Sequence, residues 1–163
     1  MRPVLLLFAL AFVLNTIGCG SSSPPAAKTE ETAKPKQEAP PAVKDNTGLL
    51  PVAGRVSATV VPSHLLDIAA LPGGTIGDYK VGRKKYQLFI IEADSNQKAA
   101  FMDTDLRDAL KNPEYIAYMG GYFGEHSGTP IYGFAKLQYL AGVVGLPKDE
   151  ADPIARQLAA RLH

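Results

Sequence analysis

The chain contains histidines at positions 64, 126 and 163 and a single cysteine, Cys19. Nucleophilic catalysis needs a hydroxyl or thiol held by a base, itself oriented by an acid. His126 and Ser127 are adjacent in sequence, which points their side chains apart, and no Gly-x-Ser-x-Gly turn occurs. His64 and Asp67 stand three apart on an expected helix. Zinc takes three or four ligands, and no further one is identifiable, so a surface pair near a helix start is expected. Glu92 and Asp94 have the types of an acid–base pair, in a spacing common at strand ends. Asp103, Asp105 and Asp108 suggest calcium by type, yet helical carboxylates cannot wrap an ion as a glycine-turned loop does. A solvated face is expected there. Neither a metal nor a cofactor is expected.

Two glycine clusters, Gly73–Gly77 (GGTIG) and Gly120–Gly124 (GGYFG), fit neither the dinucleotide fingerprint nor the phosphate-binding loop with its lysine. Turns and close packing are expected instead. The stretch Gly120–Pro130, GGYFGEHSGTP, adds Tyr122, Phe123, Glu125 and His126 to four glycines. Aromatic side chains on a permissive loop suit contact with a ligand or partner, which makes Tyr122, Glu125 and His126 candidate contact residues. The competing expectation is a strand end whose aromatics belong to the core.

These residues must be positioned by the segment 49–163, one domain by its length of 115 residues. It carries twelve Lys/Arg and twelve Asp/Glu, so it lacks the basic surplus of a nucleic-acid binder. Its one basic cluster, Arg83-Lys84-Lys85, marks a solvated turn. The run SHLLDIAALPGG predicts a short helix capped by Ser63 and stopped by Pro72-Gly73-Gly74. Asp78–Val81 and Lys85–Glu92 predict a hairpin around Gly82-Arg83. In the second of these strands Tyr86, Leu88 and Ile90 share one face while Phe89 and Ile91 occupy the other, which belongs inside a sheet.

Asp94 and Gln97 predict a capping box for a helix whose apolar stripe is Ala99, Met102, Leu106, Ala109 and Leu110, ended by Asn112-Pro113. Strands are expected at Tyr115–Phe123, Ile131–Lys136 and Tyr139–Leu146, the last two joined by a tight turn at Leu137-Gln138. Gly133 and Gly142 inside strands signal a bulge or a close helix. A final helix carries Ala151, Ile154, Ala155, Leu158 and Leu162, with Asp149 or Asp152 as its cap and Pro153 near its start. The expected fold class is α+β: an antiparallel sheet of about five strands, with helices packed mainly on one face.

Upstream, Arg2 precedes an apolar run from Val4 to Leu14, too short to span a hydrocarbon core of roughly 30 Å and laid out as a secretory signal peptide. Thr16-Ile17-Gly18-Cys19 follows and resembles the lipobox of bacterial lipoproteins. That resemblance implies that residues 1–18 are removed and that the Cys19 thiol receives a diacylglyceryl group, with the new amine acylated. The membrane lipid would then be a partner through Cys19, and the location would be the bacterial cell envelope. Gly20, in place of aspartate, favours the outer membrane where there are two. A thiol consumed in a thioether forms no disulfide, so the domain must rely on packing.

Residues 20–48 hold five prolines, four lysines, four acidic residues and no aromatic, a composition that cannot offset the entropy of ordering it. Residues 19–48 are therefore expected to be an anchored cysteine and a disordered tether, spanning roughly 30 Å as a flexible coil. Two classes of function follow for the domain. It is a tethered, non-catalytic module that binds or scaffolds an envelope protein or small ligand, or it is an envelope enzyme with a site assembled from scattered residues.

Overall fold

The computed structural model describes residues 42–163, so Cys19 and the tether up to residue 41 lie outside the described residues. Seven strands form one sheet in the order β1-β2-β3-β7-β6-β5-β4, every neighbour antiparallel. Their ranges are β1 Arg55–Ser63, β2 Pro72–Val81, β3 Lys84–Glu92, β4 Lys111–Ile116, β5 Gly121–His126, β6 Thr129–Lys136 and β7 Tyr139–Val144. Helix α1, Asn96–Ala109, carries the chain from β3 to the far edge, and α2, Lys148–Ala159, ends the fold. The class is α+β, as expected, with seven strands rather than about five.

The helices do not share a face. Ala99, Met102, Leu106 and Leu110 pack with Phe89, Ile91, Ile131, Leu140 and Val144. Ala151, Ala155, Leu158 and Leu162 pack with Leu88, Ile90, Tyr132, Phe134, Ala141 and Val143. Each helix thus covers one face of the central strands, because β3, β6 and β7 are apolar on both sides and each side must be buried. The interior placement of β3 agrees with its sequence pattern.

The two missed strands have separate causes. β1 is an edge strand, largely exposed on both faces, so it shows no apolar alternation. Tyr115–Phe123 is two strands, parted by a turn in which Met119 and Gly120 both donate to the Ile116 carbonyl. Pro113 sits in edge strand β4 beside a register shift, where it interrupts no interior ladder.

Three expected helix starts move. The segment after Ser63 forms only a single 3-10 turn, Leu65–Asp67, with His64, Leu66 and Asp67 at φ 51, 60 and 59. The Pro-Gly-Gly expected to stop a helix begins β2 instead. Gly73 is required there because a Cβ would stand 2.3 Å from the Val61 carbonyl oxygen. Ser95, not Asp94, caps α1, its hydroxyl accepting the Lys98 N–H at 3.1 Å. Pro147 occupies the cap position of α2 in place of Asp149 or Asp152.

The folded part begins before Leu49. Asn46 is buried and donates its backbone N–H to Thr75 Oγ1 at 2.9 Å, while Lys44 pairs with Glu92 at 2.6 Å. Arg55 donates to the Thr47 carbonyl, Arg161 to the Leu49 carbonyl and Tyr79 to the Pro51 carbonyl. Leu50 is fully buried among them. Composition marked 42–48 as tether because its anchors lie far away in sequence.

Candidate ligand-binding cleft

Helix α1 packs across β4 to β7. The same face of β2 and β3 is left open toward their hairpin. With Gly82-Arg83 as the turn, strict pairing places Lys80 opposite Lys85 and Asp78 opposite Gln87 on that face. Val144 of β7 and Val56, at the register shift of β1, complete the walls of a cleft of about 600 Å3. Its polar floor is hydrogen-bonded. Ser57 Oγ donates to Asp78 Oδ2 at 2.5 Å, and Gln87 Nε2 donates to Asp78 Oδ1 at 2.8 Å. These two hydrogen bonds hold the Asp78 carboxyl below the usual carboxylate range.

A smaller cleft of about 180 Å3 shares Gln87, Thr129 and Val144 with the first and reaches Asp67, His126 and Ser127. Those last three are the residue types of acyl-transfer chemistry, but the geometry does not supply it. His126 Nδ1 donates to the Ala109 carbonyl at 3.1 Å, closing the end of α1, and no hydrogen bond joins Asp67, His126 and Ser127. Ser127 and Gly128, at φ 51 and 79, form the two-residue turn between β5 and β6.

The expected loop at Gly120–Pro130 is therefore mostly a hairpin, and its three candidates do not converge. Tyr122 and His126 face α1, roughly 13 Å apart along β5, whereas Glu125 is exposed on the opposite face. Tyr122 is half-buried. Its ring lies 5.3 Å from that of Tyr115, and the Arg107 guanidinium sits 5.8 Å from its centre. Tyr122→Ala should cost about 2 kcal/mol of folding free energy, below the range for a fully buried aromatic. His126→Ala should cost about 1 kcal/mol, the worth of one hydrogen bond to a helix end. Urea denaturation measures both. A loss under about 0.5 kcal/mol at Tyr122 would show that its ring does not hold α1.

Glu92 and Asp94 pair with Lys44 and Lys98 respectively, so they do not act as one acid–base pair. His64 and Asp67 are exposed, and among the described residues no group of three His, Cys, Asp or Glu could hold a metal. Asp152 accepts from Tyr118 at 2.5 Å, Tyr132 at 2.8 Å and Arg156 at 2.9 Å, fastening α2 to the sheet.

Asp103 departs from the expected solvated face. It is 6% exposed, its Oδ1 has no hydrogen-bond partner, and burial pushes its carboxyl up to about 7 against the pull of Arg107. Asp105 and Asp108 do lie at the surface or near it.

No protein-family model, curated protein or solved structure matches this chain. The cleft therefore rests on its own geometry. Its residues escaped the sequence reading because none belongs to a motif. The hairpin turn did contain the signal, since it dictates which side chains of β2 and β3 stand opposite one another.

Proposed function

We propose that this chain is a lipid-anchored protein of the bacterial cell envelope whose domain is a non-catalytic binding module, with the open cleft between Val56 and Val144 as its ligand site. The observation that supports the site is the combination of apolar walls with a carboxylate fixed by Ser57 and Gln87. Ligand clefts of roughly 300–1,000 Å3 use such an arrangement, apolar area for affinity and a few immobile polar groups for orientation. The anchor is supported by the order of charge, apolar run and Cys19 in the sequence. Two or three acyl chains on Cys19, at ~0.8 kcal/mol per buried methylene, hold a protein permanently.

Mass spectrometry of membrane-extracted protein is expected to find a mature chain that begins at an acylated Cys19. Cys19→Ser should leave the chain unlipidated and recoverable from the soluble fraction once another peptidase removes the leader. An unmodified Cys19 in the membrane fraction would overturn the anchor. For the site, methyl spectra recorded during ligand screening should show the first shifts at Val56 and Val144. Shifts confined to residues around the α2 face would move the site elsewhere.

A further inference from the structure

Lys80 and Lys85 stand directly opposite each other across β2 and β3, and both line the cleft. Like charges in that position destabilise a sheet. Among the described residues neither has an ion-pair partner, whereas Lys84 beside them pairs with Glu150 at 2.8 Å. Asp78, the next residue of β2 on that face, makes no ion pair with either lysine and accepts instead from Ser57 and Gln87. Two exposed cations therefore flank one open cleft, which Val56 and Val144 also line. A small anion placed between the ammonium groups would remove their mutual repulsion and gain charge-assisted hydrogen bonds.

Resting on the cleft reading above, we propose that the cleft binds a small amphiphilic anion, with a carboxylate or phosphate group between Lys80 and Lys85 and its apolar body against Val56 and Val144. A free small molecule is favoured over a bilayer surface because the lysines line a concavity, and a flat anionic membrane would leave it unfilled.

The test uses the full lipidated chain in nanodiscs of neutral phosphatidylcholine, free of detergent, titrated by calorimetry and by valine-methyl NMR. Hexyl phosphate is expected to bind at least tenfold more tightly than inorganic phosphate or hexanol, and to shift the Val56 and Val144 methyl signals. Lys80→Gln with Lys85→Gln should weaken hexyl phosphate about tenfold or more while leaving the melting temperature unchanged or raised, since a repulsive pair is lost. A merely structural pair would not show that split.

Equal affinity in the double variant would overturn the proposal. So would binding of the domain surface only when the nanodisc lipid is made anionic. If hexyltrimethylammonium shifts Val144 while hexyl phosphate does not, the anion assignment falls and the cleft stands as a binding site. If none of the probes moves Val56 or Val144, both fall.

Discussion

Asp103→Asn is expected to stabilise the domain at pH 8 by on the order of 3 kcal/mol and to leave it within about 1 kcal/mol of the parent at pH 4.5. The carboxyl is 6% exposed, one oxygen lacks a partner, and its folded pKa is about 7. An aspartate in the unfolded chain titrates near 4. The folded state therefore holds the proton more tightly than the unfolded state. Its penalty is absent below pH ~4, grows as pH rises from there to about 7, and is complete above that.

Each pKa unit corresponds to ~1.4 kcal/mol, so a rise of this size accounts for up to about 4 kcal/mol. Arg107, one turn on, offsets only part of this, because its guanidinium is engaged with Asp108 at 2.6 Å. Asparagine keeps the shape and cannot ionise. Urea denaturation of both proteins across this pH range measures the effect. Parallel curves, with one constant offset at every pH, would show that the Asp103 carboxyl titrates alike in the folded and unfolded states and that burial does not raise its pKa.

Gly142→Ala should cost about 3 kcal/mol or more, a large share of the 5–15 kcal/mol by which domains are typically stable. A Cβ at Gly142 would stand 2.2 Å from the Tyr132 carbonyl oxygen and 2.6 Å from the Phe89 ring. Phe89 and Tyr132 are both fully buried, so neither can retreat into solvent. The strand ladder cannot widen without loss on β6 or β3, which flank β7 on both sides. Gly133, the cross-strand partner of Gly142, leaves matching room for Leu106 of α1, whose Cδ2 would be 2.1 Å from a new Cβ. Gly48→Ala is the control, because nothing lies within 4 Å of a Cβ there. Thermal denaturation should separate the two variants by roughly 10 °C or more. Melting temperatures within about 2 °C of each other would show that the sheet yields at Gly142 without cost.

The glycines illustrate what a sequence can carry. A glycine within an apolar strand announces that something comes close, and Gly133 does meet Leu106 of the helix. At Gly142 the close neighbours are instead the Phe89 ring of β3 and the Tyr132 carbonyl of β6, parts of the sheet itself. Identity of the neighbour was not available from spacing. Asp103 shows the converse. On the helical wheel it flanks the apolar stripe, and the same position is exposed or buried according to how widely the sheet beneath extends.

Local periodicity determined the secondary elements wherever a strand or helix has one dry side: β3 as an interior strand, the stripe of α1, the turns at Gly82-Arg83 and Leu137-Gln138. The register that sets Lys80 against Lys85 and Asp78 against Gln87 follows from the two-residue turn once β3 begins at Lys84 rather than Lys85. Those relations need only residues a few positions apart. Tertiary structure alone decided that the two helices take opposite faces and that residues 46–51 are pinned by Thr75, Arg55, Tyr79 and Arg161. It alone left the hairpin end of β2 and β3 uncovered. The physical reason is that a periodic pattern tells on which side of an element a residue stands, whereas burial depends on what arrives to cover that side, and that partner comes from a distant part of the chain.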